Sequence, residues 1–186
     1  MNYATFWQRF AAIWIDFFIL LPLAVVYILL GSISRVAALV LVIAVPAACA
    51  TYTIYYNGRF GQTIGKRTVG IRIVRTTGEA IGWREALLRS SVDVLFSAVG
   101  MAASFVTLAA ITDTEFYRVG WVQESVNLQT QQSSWLRWTD VAGQIWFWSE
   151  LVVMLFNSRR RALHDFIAGT VVISEERVSS AQVHAA

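Results

Sequence analysis

Phe10–Leu30, FAAIWIDFFILLPLAVVYILL, is 21 residues of nearly unbroken hydrocarbon. Wound as an α-helix it rises about 31 Å, which matches a bilayer's apolar core of about 30 Å. One residue is out of place in that solvent, Asp16. A carboxylate at a bilayer centre costs roughly 2.5–3.5 kcal/mol, so it requires a cation, a proton or water beside it.

The same reading extends along the chain. Val36–Tyr56 is as long, Leu87–Ile111 gives a third span, and Trp138–Phe156 a fourth at the short end of the working range. Of 186 residues, 56% are hydrophobic and only 15% charged, against about 25% charged in a soluble domain. The expectation is an all-α membrane protein. It has four transmembrane helices (10–30, 36–56, 87–111, 138–156), a basic cytoplasmic segment (57–86) with a short β-hairpin, an outer segment (112–137) and a polar tail (175–186). A cleaved signal peptide is the competing reading of the N-terminus. Asp16 interrupts its apolar run, no small-residue cleavage site follows, and a second span begins at once. Cys49 lies mid-span and is the only cysteine, so no internal disulfide can form.

Basic residues set the expected orientation. With both termini inside, only Arg35, Arg118 and Arg137 of the 15 basic side chains lie outside. Arg9, Arg59, Lys66, Arg67, Arg72, Arg75, Arg84, Arg89, Arg159, Arg160, Arg161 and Arg177 lie inside. Trp7 and Trp83 fall at the inner boundary, and Trp121, Trp135 and Trp138 in the outer segment, where indole rings anchor. The net charge of +3 therefore reports topology and attraction to anionic lipid, not nucleic-acid binding. Small size points to a bacterial inner membrane.

Two further spans carry acids, Asp93 and Glu150. Counted from the cytoplasmic end at 1.5 Å per residue, Asp16, Asp93 and Glu150 each lie about 9 Å deep. Such a layer is what a cation or proton site requires. The plainer alternative is private neutralisation: Arg9 and Asp16 are seven apart, Arg89 and Asp93 four apart, and both spacings share a helix face. Glu150 has no basic residue within a turn or two on its own helix, which makes it the leading ion or proton carrier. Asp93, Ser97, Gly100, Ser104 and Thr107 form a small, polar stripe that either serves helix packing or lines a path outward from the acids. Pro22 and Pro46 each free a carbonyl in the first two helices.

The segment 57–84 is punctuated by Gly58, Gly61, Gly65, Gly70, Gly78 and Gly82. Val69–Val74 and Ala80–Trp83 around Thr77-Gly78 read as a hairpin lying on the inner leaflet, with Phe60 and Trp83 dipping in. Gly65-Lys66 is not a phosphate loop, because Phe60 and Arg67 stand where that motif needs Gly and Ser or Thr.

Five stretches carry a resemblance. Phe6-Trp7-Gln8-Arg9-Phe10-Ala11-Ala12 with Ile15-Asp16, Gly61-Gln62-Thr63-Ile64-Gly65-Lys66-Arg67, Gly70-Ile71-Arg72-Ile73, Glu85-Ala86-Leu87-Leu88-Arg89 and Leu163-His164-Asp165-Phe166-Ile167-Ala168-Gly169-Thr170-Val171-Val172 together resemble the RDD family of small membrane proteins over about residues 5–174. The resemblance implies that Arg9, Asp16 and Asp165 are the family's signature arginine and aspartates. It also implies ligand transport, with sodium–proton exchange proposed for a member. Asp93 and Glu150 stand outside that signature, as does the outer segment.

Asp165 is expected to pair with Arg9, Lys66 or Arg67 and latch the tail to the start of the first helix. Ile167–Ile173 would then pack as a strand beside the hairpin. His164 carries an imidazole, the group that titrates near neutrality, and could sense pH. No nucleophile accompanies His164-Asp165, so no hydrolase and no enzyme is expected, and no cofactor or metal. The function expected is transport of a small cation against protons. Asp16 and Glu150 would alternate between the two, Asp93 assisting and Arg9 filling the empty acid layer; Arg9, Arg89 and Asp165 are the charge-pair or gating residues, and Lys66, Arg67 and Arg72 the basic segment. Partners are the lipid bilayer, the cation or proton, and a second copy of the chain, since the two halves run parallel. The rival reading is a non-transporting adaptor that binds lipid or a partner.

Overall fold

A computed structural model describes residues 2–119 and 134–175. In chain order it contains α1 (Phe6–Ile33), α2 (Arg35–Phe60), α3 (Ile64–Thr68), β1 (Ile71–Arg75), α4 (Trp83–Ala110), α5 (Asp113–Val119), α6 (Ser134–Phe156), α7 (Leu163–Ala168) and β2 (Thr170–Ser174). The expectations for Trp121, Arg177, most of the outer segment and the tail beyond 175 fall outside the described residues.

Three helices, α1, α2 and α4, are long and apolar enough to cross a membrane. Each is longer than its apolar run, because polar residues continue the winding past the hydrocarbon. At its start, Thr5 accepts from the Gln8 N–H while Gln8 accepts from the Thr5 N–H at 2.9 Å, so two orphan donors of α1 are satisfied reciprocally. Pro22 and Pro46 lie within unbroken helices. The outward faces are the apolar ones: Ile13, Phe18, Leu29, Val40, Leu95 and Val106 are all exposed, the arrangement of a chain whose solvent is lipid. The fourth helix, α6, begins at Ser134 rather than Trp138 and carries Arg137, Asp140 and Glu150. It does not reach the apolar standard of the other three.

α2 lies between α1 and α4, and α6 stands off to the side, touching α4 and α7. One end of the bundle carries a small polar head made of α3, the sheet and α7. Its core is Ala4, Ala12, Ile71, Ile73, Ile81 and Val172. At the opposite end Ala38, Val42, Leu108, Ile111 and Phe116 form a second cluster. There Arg35 donates to the Leu108 and Ala109 carbonyls that α4 leaves unpaired, and pairs with Asp113 at 2.8 Å.

The sheet corrects the hairpin expectation. Val74 and Ala80 share only an isolated bridge, closed by the turn in which Gly78 donates to Arg75. The true partner of β1 is β2, paired antiparallel with Ile71 opposite Ser174, Ile73 opposite Val172 and Arg75 opposite Thr170. The C-terminal strand beside the basic segment is therefore present as the pairing partner itself, but it runs Thr170–Ser174 rather than Ile167–Ile173, because Ile167 and Ala168 belong to α7 and Gly169 ends that helix. Ile71, Ile73, Val171 and Val172 are buried, so an unpartnered hairpin would have left them wet. Ala4 extends the arrangement by donating to the Val172 carbonyl at 3.0 Å.

Candidate functional site

The head is held to the helices by four acids, Asp165, Glu150, Asp16 and Glu85, and each is satisfied differently. Asp165, at the start of α7, is fully buried. Its Oδ2 accepts from Arg9 Nη1 at 3.0 Å and from the Ala162 N–H at 3.0 Å. Its Oδ1 accepts from Arg89 Nη1 and from the Thr170 hydroxyl at 3.2 Å. One carboxylate thus joins the first turn of α1 and the second turn of α4 to α7 and β2. Burial alone would push Asp165 upward and is the strongest single influence on it. Arg89, His164, Arg9 and the Ala162 N–H outweigh it, and the carboxyl titrates well below the usual carboxylate range. Arg161 closes the turn by donating to the Thr170 and Asp165 carbonyls, both at 3.0 Å.

From Arg89 a chain of contacts runs outward to α6. Arg89 Nη2 stands 2.6 Å from His164 Nε2, and His164 Nδ1 stands 2.5 Å from Glu150 Oε1. A guanidinium nitrogen only donates, so Nε2 must accept and the imidazole proton sits on Nδ1, facing Glu150. The His164 N–H also donates to the same Glu150 oxygen at 3.2 Å. Glu150 therefore has its partner from another element, His164. Arg9, Asp165, Arg89, His164 and Glu150 form one continuous polar line.

Asp16 is not part of that line, and it is not paired with Arg9 as the plainer alternative had it. Its Oδ1 accepts from the Tyr52 hydroxyl at 2.7 Å and the Gly65 N–H at 2.8 Å, and its Oδ2 from the Thr63 hydroxyl at 2.5 Å. These are three neutral donors, and they dock the start of α3 against α1. The approach is so close that a Cβ on Gly65 would stand 2.2 Å from the Ala12 carbonyl oxygen. The segment reaches this position because Gly61, at φ 71°, ends α2 in the left-handed conformation and turns the chain back.

Lys66, the next residue along, donates to Asn57 at 3.2 Å. Although the residue is only partly buried, its ammonium is desolvated beside Arg89 and Arg9. Burial first and Arg89 second lower it to about 7, against the pull of Asp16 and Asp165. Arg72 pairs with Glu175 at 3.3 Å, and Arg67 is exposed. Arg75 ties β1 to α4 through Glu85 at 3.0 Å.

Asp93 does not pair with Arg89, whose guanidinium is taken by Asp165. It accepts instead from Trp146 Nε1 on α6 at 3.0 Å. Farther along this seam lies a cavity of about 870 Å³ between α4 and α6, lined by Gly100, Ser104, Arg137, Asp140 and Gln144 among others. Two members of the predicted stripe, Gly100 and Ser104, face it. Thr107 spends its hydroxyl on the Ala103 carbonyl within its own helix.

Asn57, Tyr52, Thr63 and Thr170 are contributors that the sequence did not single out. Thr63 had a visible signal, a hydroxyl immediately before a short helical stretch, where it accepts from the Lys66 N–H. Tyr52 had none, since its partner Asp16 is 36 residues away in the chain, whereas Thr170 stands only five residues from Asp165.

Apolar helices capped by a polar, arginine-latched head define a multi-pass membrane protein. The particular kind follows from the match of the RDD family model to residues 3–169. The chain belongs to the RDD family. No curated protein and no solved structure matches it. Arg9, Asp16 and Asp165, the residues on which the resemblance rests, share one geometric property: each fastens a segment of the head to the start of the bundle.

Proposed function

We propose that this RDD family protein exchanges a small cation for protons across the membrane along the seam between α4 and α6. In this reading α6 is the fourth span and the basic head faces the cytoplasm, as the distribution of arginine and lysine favours. The observation that carries it is a carboxylate on each of these helices, Asp93 on α4 bonded across to Trp146 of α6 and Glu150 on α6, together with a cavity of about 870 Å³ between the same two helices. The two acids are within electrostatic reach of each other. A cation held between them relieves their repulsion, and a proton taken up by Glu150 does the same. The two ligands then compete for one site, which is the requirement for exchange. His164 orients Glu150 through Nδ1 and is itself held by Arg89. The expected mechanism is thereby revised: Glu150 carries the proton, Asp93 binds the cation, and Asp16 is a docking residue. Four helices are few for alternating access, so the working unit in this reading is a homodimer.

The test is flux in proteoliposomes. Wild type should move an alkali cation in response to an imposed pH gradient, and Glu150→Gln should lose that movement while keeping its fold. The second reading, a non-transporting adaptor, draws support from Asp16 and Asp165, whose oxygens are all occupied by donors that fasten the head. Absence of flux with every alkali cation from folded wild type would establish that reading over transport.

A further inference from the structure

The geometry points to a binding site for one anionic phospholipid in the cleft between α1 and α6. These two helices scarcely touch. Between them is a cavity of about 270 Å³ with walls that include Phe10, Ile13, Trp148, Leu151 and Met154. Its polar floor is Arg9, Glu150 and His164. Glu150 and His164 are bonded to each other, and two nitrogens of Arg9 are spent on Asp165 and the Arg160 carbonyl. The third, Arg9 Nε, is buried with no hydrogen-bond partner. A buried guanidinium donor left unpaired is costly, so this one calls for an acceptor oxygen supplied from the cleft.

A second cavity, about 480 Å³, shares Phe6 and Met154 with the first and opens at the basic end. Its lining includes Asn157, Ser158 and Arg160, with Trp7 exposed at its edge and no carboxylate. Arg160 is the only non-glycine residue among those described with positive φ, 49°. Such a conformation persists only where neighbours impose it. Here Arg9 donates to the Arg160 carbonyl at 2.7 Å and the Arg160 N–H donates to Asn157 at 2.8 Å. The turn is thus pinned while the Arg160 guanidinium has no partner among the described residues. The two adjoining cavities thus offer an apolar slot, a buried unpaired donor and a cationic lining flanked by an interfacial tryptophan. That combination fits an acyl chain, its ester oxygens and a phosphate. An amphiphile without a phosphate would leave Arg160 unused, a zwitterionic headgroup would bring its own cation beside Arg160, and a free phosphate would leave the slot empty.

The experiment is native mass spectrometry of the full chain in detergent, titrated with phosphatidylglycerol and, separately, with phosphatidylcholine of the same acyl chains. Wild type should retain one phosphatidylglycerol in preference to phosphatidylcholine. Arg160→Gln should weaken phosphatidylglycerol about fivefold, the scale of one basic side chain at a lipid surface, and erase the preference. Leu151→Trp should fill the slot and remove binding of both lipids. Ile13→Trp, on the opposite wall, repeats that arm if Leu151→Trp does not fold. Equal retention of the two lipids by wild type, retention of phosphatidylglycerol by the filled variant, or its displacement by inorganic phosphate would each overturn the assignment.

Discussion

Arg9 and Asp165, 156 residues apart in the chain, are joined at 3.0 Å, and Arg89 meets the other oxygen of the same carboxylate. One acid neutralising two buried guanidiniums makes Asp165 the group whose loss leaves the most uncompensated charge. Asp165→Ala is expected to cost about 3–5 kcal/mol, the range for breaking a buried ion pair from one side. Thermal unfolding in detergent measures this, and a variant that melts with wild type would contradict it.

The acid limb follows from the same group. The folded-state value of Asp165 lies below its unfolded one, so its contribution is complete above the ordinary carboxylate range of about 4 and is lost as pH falls toward the folded value. Melting temperature should therefore fall below about pH 4 in wild type. The fall should be shallower in Asp165→Asn, whose baseline is already low.

Lys66 acts at the other end of the scale. Its folded value is lowered to about 7 from 10.5, so between those values the unfolded chain binds a proton that the folded chain does not. Stability should rise with pH across that window and level off outside it. Lys66→Met should flatten the rise, as read from melting temperatures at pH 7 and pH 9. An unchanged slope in the variant would mean the ammonium is solvated.

Docking of α3 gives a test that does not depend on transport. Gly65→Ala must move backbone, because the new carbon would stand 2.2 Å from the Ala12 oxygen. Asp16→Asn must turn an amide NH2 toward at least one existing donor, at about 1–3 kcal/mol. Both should expose Lys66 and Arg67 to trypsin at rates well above wild type. Equal cleavage rates would show that Asp16 does not hold the segment.

The seam makes a separate prediction. Trp146→Phe keeps an aromatic ring but removes the N–H given to Asp93. If Asp93 holds the cation, this variant should change the cation concentration for half-maximal flux while leaving melting temperature within about 1 kcal/mol equivalent of wild type. A change in stability alone would assign Asp93 to helix packing.

Much of the architecture was legible because the bilayer is a demanding solvent. Three long helices, the basic end and the strand at the tail can be read from runs of hydrophobic residues and from where arginine and lysine fall. The Arg9–Asp165 pair was among those the sequence offered and is present, but the pairs suggested by helical spacing are not. Arg9 and Asp16, seven apart, share a helix face, and so do Arg89 and Asp93. Yet Asp165 takes both arginines, because a fully buried carboxylate gains more from two guanidiniums than either helix gains from a local pair with an acid that can find neutral donors. The hairpin gave way to a longer-range pairing: Ile71 and Ile73 alternate inward into a core that also takes Val172 of β2, Ala4, Ala12 and Ile81.

The sequence by itself determined what the chain must be dissolved in and which residues are costly there, because hydrocarbon length and charge depend on composition along a single segment. Tertiary structure alone decided who satisfies those residues. Tyr52, Thr63 and Gly65 serve Asp16, Arg9 and Arg89 serve Asp165, His164 serves Glu150 and Trp146 serves Asp93, because hydrogen-bond partners are chosen by proximity in space, which local spacing does not encode.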